Sequence, residues 1–387
     1  GCMQTVQVIV GENTEVRVGL LPLIDLNPDL VFVFGPSTSL SQLAPHLVRL
    51  VPDASCFGCS TAFAVAASGV ESGQCIVTGV RFDSSTIVQA STCVAGKGGS
   101  FDAGKLLGES LPKEGLRAVL VLCQGVGVSG SAVVRGLNRT LGNGVPIVGG
   151  LASRIEGYRQ TSVLDRSGCG NERIAALGLY GNTLRFGFGV EGGWSPFGPA
   201  RKVTACAGNI LYELDGEPAL DVYRRYLGDY ARDLPMVGRF FPFAVLDSNH
   251  DEIGLIRSML GIDEKTGGLR FGDEIAPDAY LRMMHANTDK LVGGAEAAAE
   301  AALDMMGGAL SQHGLAFVVS CVGRELVMGE RVEEEIEAVA DVVGQGVVMA
   351  GFYSFGEIAP GARNAEAKLH NQTVMIACFD EAAGEHA

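Results

Sequence analysis

Tryptophan occurs once in this chain of 387 residues, aromatic side chains make up 7% and charged ones only 19%. Such low charge beside 47% hydrophobic residues excludes a disordered chain and leaves ample material for a packed core. Positive charge is the scarcer sign. Twenty-nine basic against 44 acidic residues give a net charge of -15, which repels phosphate backbones and anionic lipid surfaces, so no nucleic-acid partner is expected. Apolar runs stay short of the roughly 18 residues that cross a bilayer, and the start lacks the basic and apolar stretches of a signal peptide. A soluble, cytoplasmic protein without membrane insertion is the expectation. Catalytic signatures are missing too: there is no HExxH and no GxSxG, and the run GVGVSG from Gly125 to Gly130 lacks the lysine of a phosphate loop and the full dinucleotide spacing.

What is abundant is glycine, with 54 residues and no collagen-like period, which points to many turns or close backbone approaches. The length fits two or three compact units at roughly 100 to 200 residues each. Ten cysteines are scattered, several inside apolar runs, and read as reduced, mostly buried thiols.

One unit recurs three times. Each copy opens on an apolar run of strand type, Leu30 to Phe34, Ala118 to Leu122 and Ala316 to Ser320. A helix with one apolar face follows, carried by Leu40, Leu43, Leu47 and Leu50, then by Val133, Val134, Leu137 and Leu141, then by Val332, Ile336, Val339 and Val343. A second strand runs into a glycine turn, FGCST at 57 to 61, VGGLAS at 148 to 153 and AGFYSFGE at 350 to 357, and a last strand closes the unit at 74 to 82, 172 to 180 and 372 to 379. Strand, helix and strand in that order build parallel pairs with right-handed crossovers. The expected fold is therefore α/β and two-lobed, with repeated strand-helix-strand-strand units on mixed sheets. Between the second and third copies, GGWSPFGP at 192 to 199 marks a break. Beyond it, Ala200 to Leu214 reads as a strand pair and Pro218 to Tyr230 as a helix. Met236 to Leu246, Leu255 to Leu260 and Gly268 to Phe271 read as strands or edges, and Ala295 to Met306 as a small-residue helix packed close on a sheet.

Five blocks, GCST at 58 to 61, VPIVGGLA at 145 to 152, GWSPFGP at 193 to 199 with VTACAGNILYELDGEPALDVYRRYL at 203 to 227, GFYSFGEIAP at 351 to 360 and LHNQT at 369 to 373, together resemble the FIST (F-box and intracellular signal transduction) proteins in order and spacing. The resemblance spans Leu30 to Phe379. It implies an N-terminal FIST domain at 1–217, holding two repeat units, and a C-terminal FIST domain at 218–387, holding the third. It also implies a sensor that binds a small polar or anionic, amino-acid-like metabolite between its lobes. Output would pass to a partner such as a histidine kinase, a cyclic-dinucleotide enzyme or a chemoreceptor, and a subset of the family implies a haem-dependent nitric-oxide sensor as an alternative. Two departures from the family pattern stand out, Phe63 and Ala64 where the first turn often continues with Gly and Glu, and Ser153 with Arg154 after the second turn.

Ligands of open α/β sheets sit at the C-terminal ends of parallel strands, and bare backbone N–H groups there can hold an anion. The candidate ligand residues are accordingly Gly58, Cys59, Ser60 and Thr61; Gly149, Gly150, Ser153 and Arg154; and Gly351, Tyr353, Ser354 and Glu357, with His370 and Asn371 beside them. Tight strand exits account for any single glycine equally well. Arg154 and Glu357 offer opposite charges to a zwitterion, or simple surface pairing. His370 is an ordinary hydrogen bonder, or the axial ligand if haem binds. Cys56 and Cys59 form one C-x-x-C, too little for a zinc site. Cys59 is a nucleophile only if a histidine comes within reach. No catalytic residue, metal site or cofactor is expected, and the chain is read as a non-enzyme.

Overall fold

The computed structural model of the chain describes residues 2–155, 159–271 and 274–383. Contacts divide it into two compact units, one formed by Gly1–Glu191, Val292–Val322 and Glu330–Ala387, the other by Gly192–Leu291 and Gly323–Gly329. The expected domain limit at 217/218 falls inside the second unit, because the chain leaves the first unit at Glu191 and returns to it later.

The first unit holds the three repeats. Repeat one runs through β1 (Gln4–Val10), the short helices α1 (Val16–Gly19) and α2 (Leu21–Leu26), β2 (Leu30–Gly35), α3 (Ser37–Leu50), β3 (Ser55–Ser60), the hairpin β4 (Ala64–Ala66) and β5 (Gly69–Glu71), and β6 (Cys75–Arg81). Repeat two follows with β7 (Thr86–Cys93), α4 (Ser100–Ser110), β8 (Leu116–Cys123), α5 (Gly130–Leu141), β9 (Ile147–Leu151), the hairpin β10 (Val163–Asp165) and β11 (Gly168–Gly170), and β12 (Arg173–Tyr180). Repeat three starts at β13 (Leu184–Glu191), where the second unit is inserted.

That insertion contains β14 (Ser195–Pro196), β15 (Arg201–Ala207), β16 (Ile210–Leu214), β17 (Glu217–Pro218), α6 (Ala219–Leu227), β18 (Phe243–Leu246), β19 (Glu252–Arg257), β20 (Met259–Asp263), β21 (Gly268–Phe271) and β22 (Tyr280–His285). They form an antiparallel sheet of order β19-β18-β22-β15-β16-β21-β20, with α6 packed on it through Leu220, Val222, Tyr223 and Leu227. Met236–Phe240, read as strand from its apolar residues, is a 3-10 helix, and the strand begins only at Phe243. The proline ahead of Met236 and the glycine within the run favour a turn over a ladder. Repeat three resumes with α7 (Thr288–Met306) and β23 (Leu315–Cys321); α8 (Val322–Met328) belongs from Gly323 on to the second unit, and the repeat continues with α9 (Glu333–Val343), β24 (Val348–Ser354), the hairpin β25 (Gly356–Pro360) and β26 (Ala367–His370), and β27 (Val374–Glu381). The small residues of α7 serve the expected close packing. A Cβ on Gly187 or Gly189 of β13 would lie 2.0 Å from the carbonyl of Ala302 or Ala298.

Each repeat builds the same four strands, in the orders β1-β6-β2-β3, β7-β12-β8-β9 and β13-β27-β23-β24. In each, the first and second strands of the expected unit are parallel, as read from the sequence, and the closing strand is antiparallel. The hairpins do not stay at home. β4-β5 of repeat one joins the sheet of repeat three, β10-β11 of repeat two joins that of repeat one, and β25-β26 of repeat three joins that of repeat two. The exchange closes on itself, and each of the three sheets of the first unit reaches six strands only by borrowing.

Alternation along the strands sends one face of each of these three sheets to a shared core, where Phe32, Phe34 and Phe57 meet Leu120, Leu122, Phe317, Val319 and Phe352. Phe34 stacks on Phe352 at 5.0 Å and Phe32 on Phe317 at 5.7 Å, contacts worth roughly 0.5–1.5 kcal/mol each beyond burial. The opposite faces are covered by helices, by α2 and α3 in repeat one and by α4 and α5 in repeat two. Among the described residues, no helix is long and apolar enough to cross a membrane.

Candidate functional site

The exits of β3, β9 and β24 come together at one buried point in the first unit. Repeats one and two are joined there by Ser153 N donating to Ser60 O at 3.0 Å and by Ser60 Oγ donating to Ser153 O at 2.8 Å. Repeats one and three are joined by Tyr353 N to Phe63 O at 2.9 Å and by Thr61 Oγ1 to Tyr353 O at 2.8 Å. Repeats two and three are joined by Phe355 N to Leu151 O at 3.1 Å and by Ser153 Oγ, which also bonds Thr61 Oγ1 at 3.1 Å, to Tyr353 O. Ser60, Thr61, Ser153, Tyr353, Ser354 and Glu357 are all buried. Four of the expected residues, Ser60, Thr61, Ser153 and Tyr353, thus touch one another although they come from three distant parts of the chain.

Next to this cluster, Glu357 accepts from Ser354 Oγ at 2.5 Å, from Thr373 N at 3.0 Å and from Thr373 Oγ1 at 2.8 Å. His370 faces Glu357 across the β25-β26 ladder, and its Nε2 lies 2.9 Å from the carbonyl of Ala359. Burial, and to a lesser degree nearby Lys368, pull the imidazole pKa below its ordinary value against that carbonyl. Asn371 is half-buried in the turn that follows. Arg154 is half-buried as well, with its guanidinium 5.8 Å from the centre of the Phe355 ring and donating to the carbonyl of Arg159. Arg154 and Glu357 therefore have separate surroundings.

The glycines meet a steric need. Gly58, Gly149 and Gly351 lie inside strands, not in turns. Each is flanked by a valine of the parallel strand (Val33, Val121, Val318) and by a residue of a borrowed hairpin (Leu164, Ile358, Val65). A Cβ at any of them would stand 1.7–1.8 Å from that valine's carbonyl oxygen, closer than any contact allows. Gly150 is similarly confined, with Val319 Cγ1 at 2.7 Å. The repeat needs glycine here so that a strand can press against its parallel neighbour.

Cys56 and Cys59 sit three residues apart on β3 and so point to opposite faces, Cys56 into the helix-covered core and Cys59 into the shared one. They cannot act as a C-x-x-C pair. Burial raises the Cys56 thiol to about 11 and holds Cys59 well above its ordinary value, the reverse of an activated thiolate. Among the described residues, no disulfide joins any of the ten cysteines. Among the described residues, no group of His, Cys, Asp and Glu has the arrangement of a metal site.

Sequence reasoning missed Glu335. Its carboxylate, wholly buried at the start of α9, accepts from Ser320 Oγ of β23 and from Tyr353 Oη at 3.1 Å. The signal was present, since position 335 lies three residues after Val332 and four before Val339, on the same stripe as the apolar residues that mark the buried face. Thr373 and Ser162, whose N donates to Ser60 Oγ at 2.9 Å, were also unmarked.

Two family models match the chain, the FIST N domain over residues 29–217 and the FIST C domain over 219–360. An uncharacterized protein of Methanocaldococcus jannaschii is 25% identical over 210 residues, which is 50% of this chain and 39% of that protein. A crystal structure of cyanuric acid hydrolase from A. caulinodans aligns with 98% of this chain and 100% of its own at 8% identity, with a TM-score of 0.41. The first four sequence blocks fall within the span of the two family models, LHNQT lies beyond residue 360, and the two models together take in most of the chain. The protein belongs to the FIST family of signal-transduction sensor domains.

Proposed function

We propose that the protein is a receptor for a small polar or anionic metabolite of amino-acid type, bound at the meeting point of the three strand exits within the first unit, and that it signals through a partner protein. The convergence of Ser60, Thr61 and Ser153 on the Tyr353 carbonyl carries this reading. A core is most simply sealed with apolar side chains, because every buried polar atom left without a partner costs about 1–3 kcal/mol. Two repeats nonetheless place hydroxyls, and the third a main-chain carbonyl, at one point of a core otherwise built from Phe, Leu and Val. A hydroxyl both donates and accepts, so a guest can replace these internal bonds one for one. Thr61 and Ser153 can donate to a carboxylate, and the Tyr353 carbonyl with the nearby Glu357 carboxylate can accept from an ammonium group. Arg154, His370 and Asn371, half-buried nearby, are the candidates for reading the rest of the molecule. Output to a histidine kinase, a cyclic-dinucleotide enzyme or a chemoreceptor rests on the family alone.

The test is a thermal-shift screen against amino acids and small organic acids. A ligand at 100 times its Kd stabilises by about 2.7 kcal/mol, a shift of several degrees at most for a protein of this size. Ser153→Ala and Glu357→Gln should fold and lose that response. Equal stabilisation of the wild type and both variants would move the ligand elsewhere. A screen without any stabilising compound would leave the receptor reading without support.

A further inference from the structure

The polar cluster does not end at the strand exits. Tyr353 belongs to it twice, through its main-chain carbonyl, which accepts from Thr61 and Ser153, and through its ring hydroxyl, which donates to Glu335 on α9. Glu335 also accepts from Ser320, and two residues earlier Glu333 accepts from Val70 N of the borrowed hairpin at 3.0 Å. The first turn of α9 is thus held on one side by a buried carboxylate and on the other by a hairpin that leaves β3 directly after Thr61. α9 is also the first helix of the first unit after the chain returns from the second at Glu330. Tyr353 is wholly buried, with Phe63 packed against its ring at 6.2 Å, so its ring has little room to turn independently of its main chain.

We infer that Glu335 is a positioning residue for the three-repeat cluster, and that Tyr353 transmits changes among the Thr61 and Ser153 hydroxyls to α9, making α9 the element that reports the state of the site. The biological meaning rests on the receptor reading. The coupling itself is a property of the chain alone. An apolar side chain would fill the place of Glu335 without a buried carboxylate's desolvation cost, and its retention at the foot of Tyr353 gives the ring one fixed height relative to the helix. Rearranging either end of this hydrogen-bonded chain must shift the other or break a buried bond.

Hydrogen exchange of the full-length protein tests this without any ligand. Thr61→Val removes the hydroxyl at nearly constant shape. It should speed exchange several-fold at the amides of 333–343 as well as at 60–63, whereas Thr61→Ser should restore the wild-type pattern. In a Tyr353→Phe background the Thr61→Val change should no longer reach α9, so the two effects are not additive. Glu335→Gln, which keeps the acceptor oxygen, should preserve transmission more fully than Glu335→Leu. Exchange altered only around 60–63 with α9 untouched, or effects at α9 that simply add, would overturn the proposal. Should a stabilising metabolite be found that leaves α9 exchange unchanged, the receptor reading stands and the transmission fails. Coupling to α9 with no such metabolite upholds the transmission and leaves the receptor reading without support.

Discussion

Three valine carbonyls decide what can stand at positions 58, 149 and 351. Because a methyl group there would sit 1.7–1.8 Å from main-chain oxygen, relief demands that a whole strand move, not a side chain. Gly58→Ala, Gly149→Ala and Gly351→Ala should each destabilise by about 3 kcal/mol or more, the upper end for overpacking, or prevent folding. Gly98→Ala, where nothing lies within 4 Å, should be neutral within about 0.5 kcal/mol. Thermal or urea denaturation of the four variants distinguishes this steric role from an anion-binding one, in which the alanine variants would fold and lose only ligand. That glycine recurs at these places was legible in the chain. Its reason was not, since the oxygen it avoids belongs to another strand and is brought near only by parallel pairing. Glu335 shows the converse, a residue whose helical spacing marked it as buried while its charge suggested a solvated face.

At the level of elements, the repeat is tied at both ends of its strands. Opposite the strand exits, Glu381 at the end of β27 gathers the link between repeats one and two. It accepts from the N–H groups of Asp83, Ser84 and Ser85 and from the hydroxyls of Ser84 and Ser85, at 2.6 to 2.9 Å. Burial alone would raise this carboxyl, but the donated hydrogen bonds outweigh it and hold the pKa below the ordinary value. A depressed pKa in the folded state means that the contribution is complete above the unfolded value, about 4.3 for Glu, and is lost as pH falls through the lower folded value. Glu381→Gln should therefore lower the melting temperature at pH 7 and flatten its acid limb below about pH 4.5. An unchanged acid limb in this variant would show that Glu381 does not contribute to it. The strands and helices that carry these residues were largely predictable from period two and period three to four. The hairpins were not, because their strands of three to five residues pair with a sheet far away in sequence, and local pattern holds no record of the partner.

For the whole molecule, the cyclic exchange of hairpins makes the repeats interdependent. Residues 2–191 contain two complete repeats by sequence, yet β4-β5 then lacks β24, β9 lacks β25, and the shared core loses Phe317 and Phe352. Such a fragment should show no cooperative thermal transition. A chain in which 192–291 is replaced by a flexible linker of about fifteen residues keeps all three exchanges and should retain one. Circular dichroism melts decide between this and a chain of independent modules, for which the fragment would fold. The buried Arg324, which donates to the carbonyls of Gly192 and Leu291, ties together the start and end of that inserted segment.

The α/β class, the three copies, the break near residue 192 and the set of Ser, Thr and Tyr residues at the strand ends were all determined by the chain itself, through hydrophobic period and recurring glycine. Those signals are local, and local order is enough to express them. Which sheet each hairpin completes, that Cys56 and Cys59 face apart, and that hydroxyls 60, 61 and 153 meet the carbonyl of residue 353 was decided only by tertiary structure. Such contacts join residues up to about three hundred positions apart, and they exist only once three sheets have closed around one core.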